Sequence, residues 1–235
     1  VLDNFKKICS DLKIGLPAEI EARQKQYEFY RDTLLTYAAT GEIIFKDKTR
    51  QDKTRQAIIR LIQYVFGSVE ITLGEIGNVC MCKRIMKNET NSISGIPFYK
   101  IGTFGKVADA YISEELFDEY KNKYSYPKKG DVLISASGTI GRTVIFNGEK
   151  SYFQDSNIVW IDNDEQIVTN KFLKYLYSTI EWQVEGGTIK RLYNNNLKKT
   201  KIIIPSIKKQ NEIVRILDNF EKIITDIQDG LPSEI

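Results

Sequence analysis

The two ends of the chain carry nearly the same sequence. Residues 1–20 read VLDNFKKICSDLKIGLPAEI and residues 216–235 read ILDNFEKIITDIQDGLPSEI, so twelve of twenty positions are identical at a constant offset of 215 residues. Solenoid repeats have periods of about 20–50 residues, so this offset is too long for a solenoid. We therefore expect one full period of a two-copy protein, which begins inside one repeat and ends inside the next.

The repeated segment has the pattern of an amphipathic helix with a narrow apolar seam. Its apolar residues recur at alternating steps of three and four, as in a coiled coil. The seam comprises Ile213, Ile216, Phe220, Ile223 and Ile227 near the C-terminus, and Phe5, Ile8, Leu12, Ile20, Tyr27, Tyr30 and Leu34 near the N-terminus. Pro17 interrupts the register and favours a kink or a restart of the helix. We predict helical arms that form an antiparallel coiled coil; the alternative is an amphipathic helix on a globular core.

Between the arms, the pattern changes to short apolar segments separated by Gly, Pro and Asn turns. Such spacing predicts strands near 69–73, 97–101, 131–135, 143–146, 157–161 and 201–204. Helical periodicity predicts helices at 113–124 and 170–185, and a short helix at 56–66. The predicted fold class is α+β, with a helical arm and connector at 1–68, a mixed α/β domain at 69–205, and a second, truncated arm at 206–235.

The composition excludes several kinds of chemistry. The chain has no histidine, which excludes Ser-His-Asp and Cys-His catalysis and the HExxH zinc site. The phosphate-binding fingerprints GxxxxGK[ST] and GxGxxG are absent from the sequence. Cys80 and Cys82 form a C-x-C pair with no further ligands, so we predict no metal site. These absences favour a binding module without catalytic residues.

The distribution of charge indicates a possible partner. Net charge is only +3, yet residues 186–209 hold seven basic residues and no acidic one. A second basic stretch spans residues 46–60. Such asymmetry can attract a phosphate backbone, although a solvated basic face is the alternative. The three cysteines fit a reducing cytoplasm, and no secretory signal or membrane-spanning run is seen.

Several ordered motifs resemble the specificity (S) subunits of type I restriction–modification systems. Residues 15–35 (GLPAEIEARQKQYEFYRDTLL) and 202–220 (IIIPSIKKQNEIVRILDNF) resemble their conserved helical regions. Residues 69–79, 95–105, 126–146 and 187–196 resemble a target recognition domain. The resemblance covers nearly the whole chain. Such subunits carry two recognition domains alternating with two long helices, so it implies half of a subunit or a half-length one.

The resemblance implies a cytoplasmic subunit that binds double-stranded DNA and reads one half of a bipartite target. It would position methyltransferase (M) subunits and, in the larger complex, restriction (R) subunits. S-adenosylmethionine, Mg²⁺ and ATP would belong to those partners, with no cofactor in this chain. An uncovered arm would also favour a homodimer. Two alternatives stay open: the DNA-reading domain of a single-chain methyltransferase or restriction enzyme, and a structural coiled-coil adaptor.

The loops of the middle domain supply the candidate DNA contacts. Lysine and arginine can bind phosphates or guanine, amide side chains suit adenine edges, and small residues allow close approach of the backbone. The candidates lie in three clusters: Lys100, Thr103 and Lys106; Ser137, Thr139 and Arg142; and Lys190, Arg191, Tyr193, Asn194, Asn195 and Lys199. We expect DNA to contact these loops and not the helical arms.

Overall fold

The computed structural model describes residues 2–43, 52–187 and 190–230, with side chains at 18–43, 54–187 and 190–224. The chain divides into two compact units, Val1–Val65 and Phe66–Ile235. Within the described ranges, no helix combines the length and the apolar character needed to cross a membrane.

The first unit holds two helices, α1 (Leu2–Thr40) and α2 (Asp52–Phe66), the second of which reaches the unit boundary. Helix α1 is continuous through Pro17, so of the two outcomes predicted there the restart is wrong, and the kink stays a prediction. A proline removes one backbone N–H bond, and the bonds before and after it hold the helix together. Helix α2 ends at Phe66 as predicted and begins four residues earlier than the sequence pattern indicated.

The second unit mixes strands and helices, which confirms the predicted α+β class. Its strands are β1 (Ser68–Thr72), β2 (Gly77–Cys80), β3 (Ile96–Tyr99), β4 (Tyr111–Ile112), β5 (Val132–Ser135), β6 (Thr143–Ile145), β7 (Tyr152–Phe153), β8 (Ile158–Asn163) and β9 (Lys201–Pro205). Its helices are α3 (Glu114–Lys123), α4 (Asn170–Tyr177), α5 (Asn194–Lys199) and α6 (Ile207–Gly230). The predicted strands are confirmed, while the short strands β2, β4 and β7 and helix α5 were not predicted.

Three sheets organise this unit. Strands β1 and β9 pair antiparallel, with Val69 opposite Ile204 and Ile71 opposite Ile202, and all four side chains are buried. The four-stranded sheet has the order β2-β8-β5-β6 and is antiparallel throughout. In the three-stranded sheet β4-β3-β7, strand β3 pairs antiparallel with β4 and parallel with β7. The β1–β9 pair therefore brings the two ends of the domain together next to α6.

An aromatic core packs between the larger sheets and α3. Its rings are each at most 5% exposed: Phe98, Phe104, Phe117, Phe146, Tyr152, Phe153 and Trp160. Helix α3 begins where the Ser113 hydroxyl accepts a hydrogen bond from the Leu116 N–H, a standard N-cap. The core also buries Cys82, and desolvation raises the pKa of its thiol to about 12. Burial of large rings on this scale stabilises the framework that carries the loops.

Helix α4 is shorter than the sequence predicts, because it ends at Tyr177 instead of continuing to residue 185. The hydroxyls of Ser178 and Thr179 donate to the carbonyls of Tyr175 and Leu176, at 2.6 and 2.8 Å. Side chains that bind nearby backbone carbonyls compete with continuation of the helix. The apolar face at the start of the predicted helix is real, and Phe172, Leu173 and Tyr177 are buried.

Helix α6 is fixed to the rest of its unit by Gln210, which is fully buried. Its side-chain oxygen accepts from the Thr169 N–H at 2.9 Å, and its amide group donates to the carbonyls of Ile167 and Pro205 at 2.9 and 2.8 Å. Three turns further along, the Glu221 carboxylate binds Lys174 at 2.8 Å. The Lys174 ammonium and the Tyr175 hydroxyl lower the pKa of Glu221, so this carboxylate stays ionised. The helix therefore leaves the domain in a fixed direction.

Candidate nucleic-acid interface

Backbone and side-chain bonds bring four loops of the second unit together. We call the loop surface residues 100–106, 136–142, 154–157 and 190–196. The first two loops are joined where Arg142 Nη1 donates to the Phe104 carbonyl at 2.9 Å. Loops 136–142 and 154–157 are joined by the Ala136 N–H, which donates to the Asn157 carbonyl at 2.7 Å. The Leu192 N–H in turn donates to the Ala136 carbonyl at 2.9 Å. The three predicted clusters, apart from Lys199 at the end of α5, therefore belong to one connected set of loops.

Loop 100–106 is closed by the hydroxyl of Thr103. This hydroxyl accepts from the Lys100 N–H at 3.1 Å and donates to the Lys100 carbonyl at 3.3 Å, so it is used within the turn. The ammonium group of Lys100 binds Asp109 at 2.8 Å, which offsets part of its charge. The side chain of Lys106 is exposed and has no ion-pair partner among the described residues. In this loop, Lys106 is the cation that remains available to a partner.

Loop 136–142 depends on a buried serine and two glycines. The hydroxyl of Ser135 donates to the Thr139 carbonyl at 2.5 Å and accepts from the Arg142 N–H at 2.9 Å. Gly138 and Gly141 have φ values of +65° and +84°, which favour glycine. A Cβ at Gly141 would lie 2.5 Å from the ring nitrogen of Trp182, too close for any side chain. This loop therefore has a defined shape, with Thr139 exposed at its tip.

Hydrogen bonds hold both the backbone and the guanidinium of Arg191. Its N–H donates to the Glu185 carbonyl at 2.8 Å, and it forms an antiparallel bridge with Ser137. Its Nη2 donates to the Asn157 side-chain oxygen at 2.6 Å, and the Ser137 hydroxyl donates to the same oxygen at 2.8 Å. Ser137 is only 6% exposed. Its hydroxyl is thus turned toward Asn157.

Residues 194–199 form helix α5 where the sequence suggested a loop. Tyr193, whose side chain is 47% exposed, occupies the position before the first turn. Asn194 is half-buried and Asn195 is exposed, whereas the amide of Asn196 is bound to Glu185 at 2.8 Å. The asparagines are the first three residues of the helix, and its start has no side-chain cap because the N-cap residue is Tyr193.

The cations of this unit differ in the groups that bind them. Several bind carboxylates: Arg84 with Asp155, Lys100 with Asp109, Lys128 with Asp162, Lys150 with Glu114, Lys174 with Glu221, and Lys201 with Glu70. In contrast, Arg142 and Arg191 are held by neutral acceptors, a carbonyl and an amide oxygen. Lys190 and Lys199 are exposed, and neither has an ion-pair partner among the described residues. Arg142, Arg191, Lys106 and Lys190 of the loop surface therefore have no carboxylate bound to them among the described residues.

Asn157 and Gln154 are functional candidates that the sequence reasoning missed. Gln154 accepts from the Ile101 N–H at 2.9 Å and so links loop 154–157 to loop 100–106. The only available signal was the polar segment 154–157, where Ser156 adopts a φ of +50° just before β8. A polar turn before a strand is ordinary, so this segment does not stand out from other turns in the sequence.

The predicted seams of the helical arms are exposed where their side chains are described. On α6, Ile216, Phe220 and Ile223 are 50%, 60% and 53% exposed. On α1, Ile20 and Tyr27 are exposed, Tyr30 and Leu34 are half-buried, and Ile213 of α6 is half-buried. Phe5, Ile8, Leu12 and Ile227 lie outside the side chains that the structure describes. Tyr27, Tyr30, Leu34 and Leu35 line a groove of about 650 Å³ between α1 and α2.

Comparison with known proteins gives one consistent family. The family model for the type I restriction modification DNA specificity domain matches residues 67–235. A putative type I restriction enzyme specificity subunit of Haemophilus influenzae is 58% identical over 214 residues, covering 91% of this chain and 49% of the relative. The EcoR124I/EcoR124II specificity subunit of Escherichia coli is 26% identical over all of this chain and 54% of the relative. The chain thus spans about half the length of these relatives.

Solved structures share the fold at low sequence identity. A chain of a solved type I R-M system aligns with a TM-score of 0.54 at 19% identity, covering 97% of this chain and 54% of that one. The HsdS subunit of Thermoanaerobacter tengcongensis aligns with a TM-score of 0.51 at 17% identity, covering 97% and 53%. The loop-bearing α+β unit, the matched domain and the 58% identical relative agree. The chain belongs to the family of type I restriction–modification DNA specificity subunits.

Proposed function

We propose that this chain is a DNA-recognition module that reads one half of a bipartite target in duplex DNA. The observation that carries this proposal is the loop surface, in which four loops are held together and whose arginines Arg142 and Arg191 are bound only to neutral acceptors. Cations held in this way keep their full charge for phosphates or base edges. Family membership supports the same function.

Within this proposal the candidate residues have different roles. Arg142, Lys106, Lys190 and Lys199 supply charge toward the DNA, and Asn194 and Asn195, with Tyr193 beside them, face base edges. Thr103 and Ser137 shape the loops, since their hydroxyls are already bound within the protein. Thr139 stands at an exposed loop tip, and Lys100 contributes less charge because it binds Asp109.

The module would be non-catalytic and would act with other subunits in the cytoplasm. It would position methyltransferase subunits on the target, and restriction subunits would join the larger complex. S-adenosylmethionine, Mg²⁺ and ATP would then bind to those partners. The seams of α1 and α6 would form the antiparallel helical spacer that sets the distance between half-sites.

A comparison of two variants over a randomised duplex library tests base reading against phosphate docking. Asn194→Ala should relax the preference at one base pair, at a cost of about 1–3 kcal/mol for the preferred base. Lys199→Ala should weaken binding to all sequences about equally, because a phosphate contact carries no sequence information. Identical sequence profiles for the two variants would contradict this division of roles.

A second copy of the chain can cover the exposed seams of the helical arms. Ile20 of α1 and Phe220 and Ile223 of α6 are each more than half exposed. Two copies related by a two-fold axis could each cover the seam of the other and would place two recognition modules at opposite ends. Such a dimer would read a palindromic split site.

Light scattering of the purified chain tests the dimer. We expect a dimeric mass at tens of micromolar for the wild type and a monomeric mass for the double variant Phe5→Asp, Ile8→Asp, because charges in the seam oppose packing. A matched change on the exposed face of α1, Gln24→Asp, should leave the dimer intact. A wild-type mass equal to that of one chain would refute the dimer.

A further inference from the structure

We propose that Arg191 reads a guanine in the major groove and that Asn157 and Ser137 are its positioning residues. This inference rests on the proposed function and specifies which base the loop surface recognises. Three observations carry it: how the guanidinium is held, which of its donors remain, and what surrounds it.

The guanidinium of Arg191 is fixed by a short chain of side chains. The Asn157 side-chain oxygen accepts from Arg191 Nη2 at 2.6 Å and from the Ser137 hydroxyl at 2.8 Å. Ser137 is 6% exposed, so the acceptor itself is anchored from the buried side. The backbone of Arg191 is also paired on one side with Glu185 and on the other with Ser137. A side chain held at both ends loses little conformational entropy when it binds a ligand.

The bond to Asn157 leaves a donor fork that is only weakly engaged. A guanidinium has five N–H donors in one plane, and Nη2 carries two of them. One Nη2 hydrogen binds Asn157, and the other makes a long contact of 3.5 Å with the Ser156 hydroxyl oxygen, beyond the usual 2.7–3.2 Å, which a base can replace. Among the described residues, Nε and Nη1 of Arg191 have no hydrogen-bond partner. Two parallel donors match the O6 and N7 acceptors of guanine, which is the commonest specific contact of arginine with DNA.

The surroundings favour a base over a carboxylate as the target of this fork. The nearby carboxylates are already bound, Glu185 by Asn196 at 2.8 Å and Asp155 by Arg84 at 3.0 Å. The partner of Arg191 is a neutral amide, so its charge is not offset. A flexible lysine can serve a phosphate equally well, whereas a rigid planar fork gives geometric selectivity. Exposed Lys190 is the adjacent flexible cation.

The test uses duplexes that the full chain selects from a randomised library, with each guanine replaced in turn by 7-deazaguanine. This base keeps its pairing edge and lacks the N7 acceptor. We expect one guanine at which the replacement lowers wild-type affinity about tenfold and leaves the affinity of Arg191→Ala unchanged. Arg191→Lys keeps the charge without the fork, so it should retain the wild-type salt dependence and lose this discrimination.

Variants of the positioning residues distinguish a loss of guanidinium orientation from a loss of protein stability. Asn157→Ala removes the shared acceptor and leaves the charge, so the preference for that guanine should fall several-fold at an unchanged salt slope. A general loss of stability would lower the affinity for all duplexes and would not change this ratio. Lys190→Ala is the matched control, and it should weaken binding to 7-deazaguanine and guanine duplexes equally.

The outcomes distinguish this inference from the proposed function. If replacement of each guanine lowers the affinities of wild type and Arg191→Ala by the same factor, Arg191 does not read guanine and the proposed function stands. Selected sites without guanine would have the same meaning. If the chain selects no sequence at all, the proposed function is refuted and the assignment of Arg191 with it.

Discussion

Replacing Gln210 with alanine should lower the free energy of unfolding of the second unit by roughly 2–5 kcal/mol. The fully buried side-chain amide of Gln210 makes three hydrogen bonds. Alanine removes the bond to the Thr169 N–H and the bonds to the Ile167 and Pro205 carbonyls. Each buried polar group left unsatisfied costs about 1–3 kcal/mol, and the costs are not fully additive. Urea unfolding followed by circular dichroism measures the change.

Two further variants make the measurement specific. Asn211→Ala changes the next residue of α6, which is exposed, and should alter stability by less than about 0.5 kcal/mol. Gln210→Glu keeps the acceptor for the Thr169 N–H but replaces the donor group that faces two carbonyls. It should destabilise at least as much as alanine. Equal urea midpoints for Gln210→Ala and Asn211→Ala would show that this residue does not hold α6 in place.

The sequence predicted those elements whose signals are local. Strands β1 and β9 show alternating apolar residues, and their register confirms that Val69, Ile71, Ile202 and Ile204 share one buried side. Helix α3 could be predicted because Ser113 caps it and its residues are periodic. By contrast, β4 and β7 are two residues long, too short for alternation to appear. Their pairing with β3 depends on the aromatic core, which involves residues distant in sequence.

The helix predictions failed where side chains compete with the backbone. The periodic pattern after Asn170 continues beyond the true end of α4, and only the hydroxyl bonds of Ser178 and Thr179 account for the stop. At α5 the reverse occurred, because a run of asparagines indicates a loop as readily as a helix start. Both cases depend on which of two local hydrogen-bond patterns the tertiary structure selects.

The sequence predicted the clusters of residues in the candidate site and did not predict the hydrogen bonds that join them. Charged and small residues near glycine turns identified loops 100–106 and 136–142 and the basic stretch around Arg191. Their connection depends on long-range bonds such as that from Arg142 to the Phe104 carbonyl, which no sequence pattern reports. Asn157 was missed for the same reason. Asn157 matters because its side-chain oxygen accepts hydrogen bonds from both Arg191 and Ser137.

Reversing three charges of the loop surface should abolish most DNA binding. The triple variant Arg142→Glu, Lys190→Glu, Arg191→Glu removes two arginines held by neutral acceptors and one exposed lysine. Hydrogen bonds to charged groups contribute about 1.5–3 kcal/mol each, so for three such groups we expect affinity to fall by at least about a thousandfold. The matched control reverses three charges outside the loop surface, at Lys128, Lys150 and Lys201, because these lysines bind carboxylates of the protein.

Fluorescence anisotropy on duplex DNA, without cofactors and over a range of salt concentrations, measures both affinity and the number of phosphates neutralised. The slope of log affinity against log salt should be smaller in magnitude by about two for the triple variant, one for each of Arg142 and Lys190, and should change much less for the control. Circular dichroism confirms that both variants are folded. A triple variant that binds duplex DNA with the affinity and salt slope of the wild type would show that DNA does not bind the loop surface.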